Sequence, residues 1–292
     1  MTRPKLSSRR RFLLQMAAGG VGLTASGFYG VDYATRVEPI RLELTRTRIH
    51  LPQLKRVVRL VQLSDWHISN DVPMDLIEKS VEVAIDQEPD VICLTGDYIT
   101  NEILDPERMA DLFRQLSMTA PTFAVMGNHD GTPYQPDHSD GQLYEALTRI
   151  LRESGVRVLS NESNKLRLMA GPELMIAGLG DLWRGPVAPN QALSFQRREN
   201  IPVIVLAHNP DTKRNIAHHD WDLMLSGHTH GGQVCIPFME AHFAPVADKS
   251  TYSGYYRWHD RHLYITRGVG NLHGIRFNCR PEVSLLELLP KA

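Results

Sequence analysis

Thr122-Phe123-Ala124-Val125-Met126-Gly127-Asn128-His129-Asp130 is an apolar run that stops abruptly at an amide, an imidazole and a carboxylate. Its first five residues have the composition of a buried strand. The last four are a set of chemical parts. Asn offers a neutral oxygen ligand, His exchanges a proton near neutral pH, and a neighbouring Asp can orient that ring and favour its charged form. Gly, Asn and Asp after a strand are also ordinary turn chemistry, so the stretch acquires meaning only from the rest of the chain.

Four other apolar runs end the same way. Val57 to Leu63 leads to Asp65-Trp66-His67, Val91 to Thr95 to Gly96-Asp97, and Ile201 to Ala207 to His208. Leu223 to Ser226 leads to Gly227-His228-Thr229-His230-Gly231-Gly232. In open α/β sheets the ligand crevice lies beyond the carboxyl ends of the strands, so five such ends can converge on one place. Any one of these Asp or His residues also reads as a cap or turn residue. Jointly they form an oxygen and nitrogen ligand set without thiolate, several members of which sit beside glycines that let backbone approach.

Between these runs the pattern alternates with amphipathic helices. Pro73 to Gln87 puts Ile77, Val81 and Ala84 on one face. Asp105-Pro106 reads as a cap and first turn, followed by Met109, Leu112, Phe113 and Leu116 at helical spacing. Gly141 to Ser154 turns Leu143, Leu147, Ile150 and Leu151 inward. Further strand-like runs are Val156 to Leu159, Lys165 to Met169, Glu173 to Leu179, Asp222 to Ser226, His262 to Thr266 and Val283 to Leu288. The first half alternates strand and helix and the second is richer in strands. We therefore expect an α/β fold of two sheets packed face to face with helices outside.

The 292 residues carry a net charge of -1, but Arg3, Lys5, Arg9, Arg10 and Arg11 contribute +5, which leaves -6 on the remainder. A mildly acidic body argues against nucleic acid as a partner. Ser8-Arg9-Arg10-Arg11-Phe12-Leu13-Leu14, followed by a weakly apolar Gly- and Ala-rich stretch, matches the S-R-R-x-F-L pattern of twin-arginine export signals. Residues 1–30 are thus expected to be a signal or anchor, 31–55 a linker or peripheral strand, and 56–292 one catalytic domain. Cys93 lies in an apolar run, and Cys235 with Cys279 is a candidate disulfide in an exported protein.

The ordered pattern D-x-H, G-D, G-N-H-D, H, G-H-x-H resembles the calcineurin-like metallophosphoesterases, from about Arg56 to the C-terminus. The stretches Gly178 to Trp183, Ala207 to Asp211, Gly231-Gly232-Gln233 and Thr266 to Gly270 look like the exported bacterial phosphodiesterases of the YaeI and YkuE type within that family. The resemblance implies a four-layer αββα sandwich of two mixed β-sheets. It also implies two divalent cations, drawn from Mn, Fe, Zn, Ni or Co. One would be held by Asp65, His67, Asp97 and His230, the other by Asp97, Asn128, His208 and His228, with Asp97 bridging.

The implied chemistry is attack on a phosphodiester by a bridging hydroxide, with His129 protonating the leaving oxygen and Asp130 orienting the His129 ring. The substrate expected is a phosphodiester, with lipid-linked ones among the candidates. The partners expected are the twin-arginine export machinery and the membrane surface. The location expected is the periplasm or the outer face of the cytoplasmic membrane. A UDP-2,3-diacylglucosamine pyrophosphate hydrolase and a phosphomonoesterase are the competing enzyme readings. A non-catalytic cell-wall-binding module would be marked by lost ligands, and none is lost. His273, in a Gly-rich stretch, is the other histidine to watch.

Overall fold

The structure, a computed structural model, describes residues 30–133, 139–169, 171–194, 201–236 and 244–290. The twin-arginine-type segment lies outside the described residues but for its last glycine, as does most of the loop after the Asn128 motif.

Among the described residues twelve strands form two sheets. In chain order they are β1 (Glu43–His50), β2 (Val58–Leu63), β3 (Val91–Leu94), β4 (Thr122–Ala124), β5 (Arg157–Val158), β6 (Glu162–Arg167), β7 (Glu173–Gly178), β8 (Val203–Leu206), β9 (Leu223–Ser226), β10 (Gly254–Trp258), β11 (Arg261–Ile265) and β12 (Glu282–Leu289). The sheets run β1-β12-β2-β3-β4-β5 and β10-β11-β9-β8-β7-β6. Both are mixed. β2 to β5 are parallel with β12 antiparallel to β2, and β7, β8, β9 and β11 are parallel with antiparallel β6 and β10 at the edges. Every expected motif follows one of the parallel strands, so the five motif loops emerge together.

Alternation along β2 shows how the layers are built. Val61 and Leu63 face the helices, whereas Val58 and Leu60 face the second sheet. The helical layer consists of α1 (Met74–Ile85), α2 (Pro106–Thr119) and α3 (Ser139–Glu153). In α2 the Asp105 side chain accepts the Arg108 N–H at 3.0 Å, Pro106 occupies the first turn, and Met109, Leu112, Phe113 and Leu116 are buried at i, i+3, i+4 and i+7. Between the sheets pack Phe123, Val125, Ile176, Ile204, Leu206 and Leu225. The outer face of the second sheet is covered by shorter pieces, with Ala192 from the four-residue α4 (Pro189–Ala192), Ile216 and Trp221 on Val203, Val205 and Ile265.

Residues 43–50 form β1, which pairs with β12 in parallel from Glu43 opposite Glu282 to His50 opposite Leu289. The hairpin strand β10 has no counterpart in the sequence reading, because Gly254-Tyr255-Tyr256-Arg257-Trp258 alternates half-buried with exposed residues and carries no aliphatic run, its inward side chains being the half-buried Tyr256 and Trp258. Just under the motif loops, Gln62 Nε2 donates to Thr95 Oγ1 and to the Ser226 carbonyl, both at 2.9 Å. The second of these bonds ties the two sheets together at the end where the chemistry sits.

Candidate metal centre

Asp65, His67, Asp97, His208, His228 and His230 are all buried at the carboxyl end of the two sheets. Five of the seven expected ligands reach their places through positive φ: Asp65 (52°), His67 (46°), Asp97 (55°), His228 (69°) and His230 (49°). For a side-chain-bearing residue that conformation costs roughly 1–3 kcal/mol each. Nothing in the turns alone requires so many strained residues, and their concentration on this one set marks a site whose side chains are aimed at a cost. Gly127 and Gly227 are the complement. A Cβ on Gly127 would overlap Asp97 Oδ1, and one on Gly227 would overlap Asp65 Oδ2, so both carboxylates lie directly on glycine backbone.

The ring nitrogens converge. His67 Nε2 and His230 Nε2 are 3.1 Å apart, and Asp65 Oδ1 lies 3.6 Å from His230 Nε2. On the other side His208 Nε2 and His228 Nδ1 are 3.2 Å apart. Hydrogen bonds at the far edges orient the rings. His208 Nδ1–H donates to the Thr95 carbonyl at 2.7 Å, and His228 Nε2–H to the Pro245 carbonyl at 3.1 Å, which turns His208 Nε2 and the lone pair of His228 Nδ1 inward. Asp97 Oδ2 stands between the halves, 3.3 Å from His67 Nε2 and 3.1 Å from His208 Nε2.

Protonation follows from burial and these contacts. Burial pushes the Asp65 carboxyl up. It pushes Asp97 the same way, but His208 and His67 outweigh it and hold Asp97 well below the usual carboxylate range. Burial lowers His208, yet Asp97 outweighs that and raises it well above the usual imidazole value. Burial takes His228 down to about 3 with the His208 charge adding, and burial with His67 takes His230 well below its usual range. Without a cation, therefore, one proton on His208 balances Asp97, and the rings of His228 and His230 stay neutral and ready to donate lone pairs.

Whether this set fits divalent cations can be judged from the atoms left over. Asp65 Oδ2, Asn128 Oδ1 and His230 Nδ1 are buried without a hydrogen-bond partner among the described residues. Three triads bring one ligand atom from each member within 4.8 Å of the others: Asp65, His67 and His230; Asp97, His208 and His228; and His67, Asp97 and His129. Facing lone pairs and orphaned oxygens are unfavourable against each other and favourable around a cation. The residues fit.

The order of motifs and this convergence agree with the comparisons. The family model described as calcineurin-like phosphoesterase matches residues 58–232. The chain belongs to the calcineurin-like phosphoesterase family. It is 40% identical to phosphodiesterase YaeI of Escherichia coli over 97% of this chain and 99% of that protein. It is 32% identical to YkuE of Bacillus subtilis, an uncharacterized metallophosphoesterase, over 97% and 98%. It is 26% identical to the UDP-2,3-diacylglucosamine pyrophosphatase LpxG of Chlamydia trachomatis over 88% and 92%. As a calcineurin-like phosphoesterase the protein is a hydrolase of phosphoric ester bonds, in a family that works with divalent metal ions.

One expected role does not survive the geometry. Asp130 does not touch the His129 ring. Its carboxylate accepts the backbone N–H groups of Asp97 at 2.7 Å, Gly127 at 2.8 Å and Tyr98 at 2.8 Å. Burial, with the Asp97 charge adding, pushes this carboxyl up to about 7 against the pull of the Gly127 and Tyr98 N–H groups. The ring of His129 is set by Thr100 instead, whose carbonyl accepts Nδ1–H at 2.9 Å, while the His129 backbone N–H donates to Asp97 Oδ1 at 2.9 Å. Neighbours in sequence diverge here because the tight turn points the two side chains to opposite sides.

The same calcineurin-like phosphoesterase site opens into a hollow of about 380 Å³ whose lining combines the polar Asp97, Asn128, His129 and His228 with the apolar Trp183, Val234, Pro245 and Leu272. Trp183, 56% exposed, sets its ring edge-on to His228 with centroids 4.4 Å apart. It is held by Asp181, whose Oδ1 accepts the Trp183 and Arg184 N–H groups at 2.9 Å. The sequence flagged Gly178 to Trp183 only as a family-like stretch, whereas Thr100 carried no signal at all. His273 is exposed, has φ 62°, and lines the mouth of the hollow rather than the ligand cluster. Cys235 and Cys279 are free thiols, whose S–H groups donate to the Gly231 carbonyl at 3.0 Å and the His230 carbonyl at 2.9 Å.

Proposed function

We propose that the protein is a phosphodiesterase with a dinuclear metal centre. Asp65, His67, Asp97 and His230 would hold one divalent cation and Asp97, Asn128, His208 and His228 the other. The observation that carries this reading is the place of Asp97 Oδ2, within 3.3 Å of a ring nitrogen from each half of the cluster. Bound divalent cations would supply Lewis-acid polarisation of the phosphoryl group and acidify water at neutral pH.

The chain's own residues do the rest. The Thr100 carbonyl accepts Nδ1–H of His129, which leaves Nε2 as the atom that faces substrate and, when the ring carries a proton on both nitrogens, gives that Nε2 proton to the departing oxygen. Asp130 locks the Asp97 and Gly127 loops to each other, so that the shared carboxylate and the acid keep their separation. Trp183, Val234, Pro245 and Leu272 exclude water on one side of the site and suit an ester arm of apolar character, which supports a lipid-linked diester. The 40% identity to a protein named as a phosphodiesterase supports diester over monoester chemistry. Ser8 to Leu14 supports export through the twin-arginine machinery to the outer face of the cytoplasmic membrane.

Manganese-loaded protein should cleave bis(4-nitrophenyl) phosphate and lose that activity on chelation, with recovery when the metal is restored. Turnover that survives chelation would overturn the proposal.

A further inference from the structure

Beside the metal hollow lies a second cavity of about 280 Å³, and the two share Leu272 and His273 as a common wall. That wall is held in place from the metal side. Gln233, just past the His228-Thr229-His230 motif, donates through Nε2 to the Leu272 carbonyl at 2.7 Å and accepts the Leu272 N–H through Oε1 at 3.0 Å. The cavity beyond differs in character from the hollow. Asn70, Asn101, Asp71 and Glu102 stand around it, and among the described residues no Lys or Arg lines it.

Asn271, 1% exposed, lines the same cavity, and both its Nδ2 and its Oδ1 are buried without a partner among the described residues. A buried amide with both ends unmet is unfavourable unless something arrives to satisfy them. An amide offers two donors and an acceptor, which a hydroxyl group complements in both directions. The two flanking carboxylates accept further hydroxyl hydrogens and repel anionic arms.

We infer that this cavity is a subsite for a hydroxylated, uncharged ester arm of the substrate, of the glycerol or sugar type, and that Asn271 is its specificity-determining residue. The inference rests on the phosphodiesterase reading of the adjoining site. A phosphodiester with its phosphorus among the histidines then extends one arm over the Leu272–His273 wall into the polar cavity and leaves the apolar hollow to the other.

The test compares two chromogenic diesters with the same leaving group, 4-nitrophenyl glyceryl phosphate and 4-nitrophenyl propyl phosphate, on the metal-loaded enzyme. Wild type should prefer the glyceryl diester in kcat/KM by about tenfold, mostly through KM, and Asn271→Leu should bring that ratio toward one. Because the Asn271 amide has no partner among the described residues, the Leu variant should melt no lower than wild type. A structural asparagine would behave otherwise.

Equal use of the two diesters by wild type, a preference that persists in Asn271→Leu, or a lowered melting temperature in that variant would each overturn the inference. Calorimetric titration of the glyceryl diester into metal-free protein reads the subsite without turnover, and the Leu variant should bind about tenfold more weakly. If wild type cleaves neither diester but that binding difference is present, the phosphodiesterase reading fails and the subsite stands. If the difference is absent, the subsite fails.

Discussion

Asp130→Asn separates the observed role of this carboxylate from the one its position beside His129 suggests. Asp130 is fully buried and accepts three backbone N–H groups at 2.7–2.8 Å, two on Oδ2 and one on Oδ1. Asparagine keeps one oxygen. Its better rotamer would serve Asp97 and Gly127 and turn its NH₂ toward the Tyr98 N–H, leaving two buried donors face to face. At about 1–3 kcal/mol for each unmet group, less the relief of removing a buried charge, the variant should lose roughly 3 kcal/mol. For a chain of this size that lowers the melting temperature by roughly 6–12 °C. Differential scanning of metal-free protein reads the loss directly, with His129→Ala as the control expected to melt near wild type. A melting temperature within about 1 °C of wild type, together with a fall in turnover matching that of His129→Ala, would refute the reasoning and return Asp130 to the imidazole.

His129→Ala should retain its metal by elemental analysis while turnover falls roughly 10²- to 10⁴-fold, and loss of metal would place His129 among the ligands. Asp97→Asn should fail to hold its cations, so native affinity for two ions in that variant would remove the shared-carboxylate assignment. Because Asp97 raises His208 well above the usual imidazole value, the metal-free protein carries a proton on His208 that a cation must displace. Apparent manganese affinity should therefore rise by roughly tenfold per pH unit below that pKa, and calorimetry that shows neither this slope nor proton release would contradict it.

Much of this site was legible because each motif is local. A buried strand followed within a few residues by a ligand-type side chain can be read without knowing where the strand lies, and Leu63, Leu94, Ala124, Leu206 and Ser226 all end strands in that way. What escaped depends on contacts across the chain. Thr100 meets His129 from 29 residues away. Arg276, fully buried, spends its guanidinium on the carbonyls of Arg267, Gly268, Gly270 and Cys279, a role no local pattern announces. The unmet amide of Asn271 is visible only once the walls around it are in place. Asp130 is adjacent to His129 in sequence and not in contact with its ring, because the turn between them separates the two side chains.

The family's shared segment, 58–232, stops short of β12, the strand wedged between β1 and β2, and of β11, which lines up beside β9. The Arg276 N–H donates to the Ala34 carbonyl at 2.9 Å, and the Cys279 N–H to the Glu38 carboxylate, so the two ends of the chain also clasp each other behind the metal motif. The matched middle is thus not a module that can be cut out and carried elsewhere. A trimmed version would present two raw sheet edges to solvent and to other copies of itself. Recombination, proteolysis and laboratory truncation all face the same constraint: the segment that the family model matches is smaller than the unit that folds.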